Sequence, residues 1–129
     1  MRIGLDAHAV GTQIGGNETF IRELLKGMSS VAPELDLIAL VNPEYAKNHK
    51  DVYGFRAAPI PTHSSWLRVP VALPLLSRRL GLDLLHIQYT APPVCPCPYI
   101  VTLHDMVWKK FPETLPLVHR YRLDWLAPT

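Results

Sequence analysis

Two short segments carry residue types that can do chemistry at a ligand. One is His104-Asp105. An imidazole can hydrogen-bond a ligand or move a proton, and an adjacent carboxylate can orient polar groups or raise the ring's basicity. The other is Gly15-Gly16-Asn17, directly before a periodic apolar run. Paired glycines let backbone approach a ligand with no Cβ in the way, and a helix N-terminus offers free N–H groups to an anion. A structural histidine and an ordinary flexible turn are the plain alternatives. The run Gly11-Thr12-Gln13-Ile14-Gly15-Gly16 lacks the G-x-G-x-x-G spacing, and no Gly-Lys-Ser/Thr follows it. Neither a dinucleotide fingerprint nor a P-loop is present.

Other chemistries find less support. No H-x-H, H-E-x-x-H or carboxylate cluster points to a metal, so no metal ligand is assigned. Cys95-Pro96-Cys97 would form a strained disulfide, and zinc would need two further ligands, so two reduced loop thiols are expected. No G-x-S-x-G motif supports a serine hydrolase. His86 lies inside an apolar run and reads as a satisfied core histidine. His8 stands open between a structural and a ligand-facing role. His49, His63 and His119 read as surface residues. A net charge of +2 and a pI near 8.6 are too mild to argue for nucleic acid. Lys109, Lys110, Arg120 and Arg122 gather near the C-terminus. They read as solvated surface, with contact to an anionic membrane left open.

The elements that must position these groups follow from periodicity. Arg2–Ala7 reads as a first strand, and Phe20, Ile21, Leu24, Leu25, Met28 and Val31 form a helical stripe beginning at Glu18. Asn17 is its expected N-cap. Leu35–Val41 is almost wholly apolar, as in a strand buried on both faces. Tyr53–Ile60 reads as a third strand. Trp66–Leu80 reads as a helix broken or kinked at Pro70 and Pro74, because an interior proline removes a hydrogen bond and costs about 3 kcal/mol. Asp83–Gln88 and Tyr99–Leu103 read as fourth and fifth strands, and Leu115–Leu126 as a closing amphipathic helix. Strands alternating with helices imply an α/β fold with a Rossmann-like parallel sheet. Ligands bind such sheets beyond the carboxyl ends of the strands, near the switch point. That rule selects the loops His8–Asn17 and Gln88–Pro98, and His104-Asp105 onward.

Three segments together resemble a known family. Gly15-Gly16-Asn17-Glu18 with its helix is similar to the opening of family 4 glycosyltransferases of the GT-B fold. Asp83-Leu84-Leu85-His86-Ile87-Gln88-Tyr89-Thr90 resembles their D-hydrophobic-hydrophobic-H strand. Val101-Thr102-Leu103-His104-Asp105, followed by Phe111-Pro112-Glu113, resembles their V-T-x-H-D segment with its downstream F-P-E. The resemblance implies an N-terminal, acceptor-side domain of a retaining transferase, moving a sugar from a nucleotide-sugar donor to an acceptor hydroxyl on a sugar or lipid-linked acceptor. It assigns Gly15, Gly16 and Asn17 to the loop near the donor diphosphate, His104 to contact with the transferred sugar, and Asp105 to positioning. It implies no cofactor and no metal.

The resemblance also casts residues 1–129 as a single, incomplete first domain, lacking the donor-binding second domain and inactive by itself. Self-association through uncovered apolar surface is then expected. The first rival is a stand-alone α/β nucleotide-binding or interaction module without catalysis. Another GT-B enzyme, such as an epimerase, and a partner-binding domain using Trp108, Trp125 and Leu126 are further rivals. Met1-Arg2-Ile3-Gly4-Leu5-Asp6 contains an acid and no apolar leader core, so a cytoplasmic or membrane-peripheral protein is expected. Of 13 prolines, six fall in or beside the two later candidate loops (Pro92, Pro93, Pro96, Pro98, Pro112 and Pro116), where stiff irregular backbone can hold a surface in place.

Overall fold

The computed structural model describes residues 1–13 and 15–126. Its strands are β1 (Arg2–Ala7), β2 (Asp36–Val41), β3 (Asp51–Val52), β4 (Phe55–Pro59), β5 (Leu84–Gln88) and β6 (Tyr99–Thr102). They form one sheet in the order β3-β4-β2-β1-β5-β6. Every pairing is parallel except β3 with β4. The order reverses direction at β1, so the switch point lies between β1 and β5, as the Rossmann-like expectation requires.

Two apolar layers hold the sheet. On one face, Leu5, Ala7, Ala39 and Val41 pack against Ile21 and Leu25 of α1 (Gly15–Val31). On the other, Ile38, Leu40, Ala58, Leu85 and Ile87 meet Val69, Ala72 and Leu73. The central strands are therefore buried on both sides, which explains their near-continuous apolar runs. Burying one such side chain is worth about 1.5–3 kcal/mol. Gly4 belongs to this tight packing, since a Cβ there would overlap the Leu82 side chain.

The structure differs from the sequence-based expectations at five places. First, α1 begins at Gly15 and not at Glu18, so Asn17 lies inside its first turn and is not the N-cap. The Glu18 carboxylate instead fastens the preceding loop, accepting from the Gly11 N–H at 2.8 Å and the Gln13 N–H at 2.6 Å. Second, the expected strand Tyr53–Ile60 is a hairpin, with β3 and β4 turning through Tyr53 (φ 52°) and Gly54 (φ 84°). Between β2 and β3 stands the short helix α2 (Pro43–Asn48).

Third, the expected break or kink in the proline-bearing run takes the form of a single wide turn. Ser65–Leu67 (α3) passes through a π turn, Arg68–Ala72, into α4 (Leu73–Leu80). The Leu73 N–H donates to the Arg68 carbonyl, one residue further back than in an α-helix. That wider turn accommodates Pro70, and Pro74 falls where α4 begins. Fourth, β6 stops at Thr102, with Leu103 just beyond it. Fifth, α6 (Leu117–Leu126), which follows α5 (Val107–Lys110) and a 3-10 turn at Pro112–Thr114, shows Leu117, Val118 and Tyr121 exposed. These three side chains belong to neither apolar layer of the sheet. The side chains of Trp108, His119, Arg120, Arg122, Trp125 and Leu126, and all of Ile14 and Ala127–Thr129, lie outside the described residues.

Candidate functional site

The carboxyl ends of β1, β5 and β6 bring His104-Asp105 to the switch-point edge. Gln88, the last residue of β5, sits opposite Thr102 in the register and is buried. Its Nε2 donates to the Asp6 carbonyl oxygen at 3.3 Å, and its Oε1 lies 3.0 Å from His104 Nε2. The amide's donor end is occupied by β1, so its oxygen faces the imidazole and the ring proton belongs on Nε2. Nδ1 of a neutral ring is then the acceptor available to a ligand. The ring is wedged between Phe20 of α1, edge-on at 4.5 Å, and Tyr89, tilted at 5.1 Å. Phe20 lies one helical turn past Gly16, so the start of α1 and the exit of β6 share one site.

Tyr89 holds the neighbouring acid. Its hydroxyl donates to Asp105 Oδ2 at 3.3 Å, and burial, then the Asp105 charge, raise the phenol's pKa. Its backbone is left-handed (φ 64°), while its N–H donates to the Thr102 carbonyl at 2.9 Å and extends the β5–β6 ladder. Such a conformation is costly for a non-glycine residue and aims the side chain back over His104. His86, expected as a core histidine, is half-buried with Nε2 2.7 Å from Thr102 Oγ1. Burial lowers its pKa, with Asp6 opposing and His104 reinforcing the shift.

Gly15 and Gly16 stand at the start of α1 with nothing near the space a Cβ would fill. Gly15 has φ 67°, which an L side chain rarely adopts. The loop before them is fastened by Glu18, whose carboxylate also binds Arg22 Nε at 2.7 Å. Burial pushes the Glu18 pKa up, but the hydrogen bonds from the Gly11 N–H, Arg22 and the Gln13 N–H outweigh it and leave it lowered. Asn42 ties the same loop to β2, donating to the Val10 carbonyl at 2.6 Å and the His8 carbonyl at 3.3 Å while capping α2 through the Tyr45 N–H at 2.8 Å.

Sequence reasoning missed Gln88, Glu18 and the pair of Asp6 with Arg68. Asp6 is buried on the α4 side of β1, with Oδ1 2.9 Å from His8 Nδ1 and accepting from the His8 N–H at 3.2 Å. Arg68 Nε approaches Oδ2 to 3.6 Å. Burial raises the Asp6 pKa, and His8 and then Arg68 lower it further than burial lifts it. An acid inside an apolar strand was the one visible signal. The thiols of Cys95 and Cys97 are free, 3.9 Å apart. Among the described residues no group of three or more His, Cys, Asp or Glu side chains could hold a metal ion, and no helix is long and apolar enough to cross a membrane.

Set beside known proteins, residues 14–129 match the family described as Glycosyltransferase Family 4. No curated protein and no solved structure matches the chain.

Proposed function

The chain belongs to glycosyltransferase family 4, and we propose that it is the acceptor-side half of a retaining enzyme. The reaction moves a sugar from a nucleotide-sugar donor to an acceptor hydroxyl on a glycan or lipid. The donor sits mainly on a second domain, and transfer takes place in the cleft between the two. The observation that carries this reading is the clamp on His104: Gln88 fixes its tautomer and Phe20 of α1 fixes its ring plane, at the edge where Rossmann-like sheets bind ligands.

In this reading His104 Nδ1 accepts a hydrogen bond from a hydroxyl of the sugar being transferred. Asp105, held by Tyr89, positions polar groups beside it. Gly15, Gly16 and Asn17 bring backbone N–H groups at the start of α1 toward the leaving diphosphate, where they stabilise developing charge. The open space beside both glycines supports that role. No metal takes part, and chelation leaves the rate unchanged. Donor and acceptor are aligned by closure of the two domains, so residues 1–129 alone are inactive.

The test is kinetic. In the two-domain enzyme, His104→Ala lowers kcat by about 100-fold or more with little change in thermal stability, the range expected when a positioned group at the reacting centre is lost. Unchanged kcat removes His104 from the reaction. Sugar transfer or nucleotide-sugar hydrolysis by residues 1–129 alone would overturn the division of labour. Saturable nucleotide binding by a chain that never transfers sugar would favour a binding module.

A further inference from the structure

We propose that the cavity beside Arg68, on the β1–β2–β4 side of the carboxyl edge, binds a phosphate group carried by the acceptor. The inference rests on the acceptor-side reading above. The cavity holds about 300 Å³, and His8, Thr12, Asn42, Thr62, His63 and Arg68 line it. None of its lining residues belongs to the His104 clamp.

Arg68 is the reason for the assignment. Its side chain is 11% exposed. Asp6 approaches it, but at 3.6 Å the two groups are beyond hydrogen-bond reach. Arg68 Nε and Asp6 Oδ2 are both buried with no hydrogen-bond partner among the described residues. A guanidinium carries five N–H donors, and burying them unfilled is unfavourable unless an acceptor arrives. Asp6 thus holds the cation in position by charge without occupying its donors. Asp6 in turn is anchored on its other oxygen by His8.

The remaining wall suits several oxygens more than one. The Thr62 hydroxyl accepts from the Ser64 N–H at 3.1 Å, which leaves its own proton to donate into the cavity. Thr12 Oγ1 already donates to the Ala9 carbonyl and can only accept. His8, with Nδ1 on Asp6, has Nε2 remaining, and His63 adds a second imidazole. Donors therefore come from the segment after β4 and from the π turn. A planar carboxylate is satisfied by one guanidinium fork, whereas a tetrahedral phosphate uses donors from several directions. Glu44 also lines the cavity, and Lys47 pairs with it at 2.9 Å, which offsets part of its repulsion of an anion.

The experiment uses residues 1–129, labelled with ¹⁵N. The Arg68 Nε–Hε resonance is followed during titration with glycerol 3-phosphate, and separately with phosphatidylglycerol vesicles, against matched sodium chloride. A saturable displacement with half-saturation in the millimolar range, shared by His8 and His63, is expected. Arg68→Lys keeps the charge over Asp6 but loses the fork, and weakens binding about tenfold. If that variant does not fold, Thr62→Val, outside the core, weakens binding about threefold. Response to the soluble ester alone assigns the site to a soluble phosphorylated acceptor, and response to vesicles alone assigns it to a lipid headgroup. No displacement beyond the chloride control in either arm overturns the proposal. Sugar transfer without phosphate binding would remove this site and leave the transferase reading intact. Phosphate binding without sugar transfer would do the reverse.

Discussion

Replacing Glu18 by alanine tests how the glycine loop is held. The carboxylate accepts from two backbone N–H groups and from Arg22, at 2.8, 2.6 and 2.7 Å. Hydrogen bonds to a charged group contribute about 1.5–3 kcal/mol when the donors are left dry. Gly11 and Gln13 are exposed, so water replaces part of each bond and about 1 kcal/mol apiece is a fairer figure. The ion pair to partly exposed Arg22 adds about 0.5 kcal/mol. These contributions share one carboxylate and do not add fully, so the expected loss is about 2 kcal/mol. In a chain of 129 residues that lowers Tm by roughly 6–10 °C. Glu18→Gln, keeping the shape without the charge, should lose about half as much. The assay is thermal unfolding paired with amide exchange. Gly11 and Gln13 should exchange faster in the variant, while amides in β1 and β2 keep their relative order. The acid side of the argument has a definite sign. The folded-state pKa of Glu18 is lowered. Its stabilisation is therefore complete above the unfolded carboxyl pKa of about 4.3 and is lost as pH falls through the folded value. A Tm change below about 2 °C, or Gly11 and Gln13 amides indifferent to the substitution, would refute this account of how the loop is fastened.

Three other outcomes follow from the same contacts. Gln88→Met should leave the fold in place but free the His104 ring, so that ¹⁵N imidazole spectra change from the Nε2–H form to a mixture of tautomers; an unchanged spectrum removes Gln88 as the positioning residue. Gly11→Ala forces a side chain into φ 84° and brings its Cβ to 2.8 Å from the Tyr45 ring, which should cost about 1–3 kcal/mol in denaturant unfolding; a loss under about 0.5 kcal/mol would contradict that backbone. His86 has a lowered folded-state pKa, so the unfolded chain takes up its proton first. Stability should decline as pH drops below about 6.5 and level off once the folded pKa is passed. His86→Gln should flatten that part of the profile, and equal slopes for the two proteins would count against the burial of His86.

The strands outside the hairpin were legible because a parallel sheet writes itself into the chain as apolar runs. Leu37–Val41 is buried on both faces, and Leu84–Gln88 buries Leu85 and Ile87 on one face and Gln88 on the other. The hairpin was not, because Tyr53 and Phe55 look like strand residues and only Gly54 marks the turn. Pro70 and Pro74 marked the interruption but not its form: a single wide turn lets a helix pass through prolines that a regular one rejects. In α6 the pattern is amphipathic, but Leu117, Val118 and Tyr121 find no partner surface. Local pattern reports what a residue could bury and not what is there to cover it. The candidate site divides along the same line. His104-Asp105 is a neighbouring pair at a strand end and could be read directly. Gln88 reaches Asp6 across 82 positions, and Arg68 of the π turn meets the same Asp6 of β1. Such partnerships exist only after the strands are ordered.

The two edges of the sheet differ in a way that bears on assembly. At one end β3 folds back against β4 as a two-residue strand, too short to template another chain. At the other end β6 pairs with β5 alone among the described strands and shows Tyr99 and Ile100 at 43% and 52% exposure. Among the described residues the two ends of the sheet are therefore unequal: β3 closes its own end, so any strand that extends the sheet adds at β6, whichever chain it comes from.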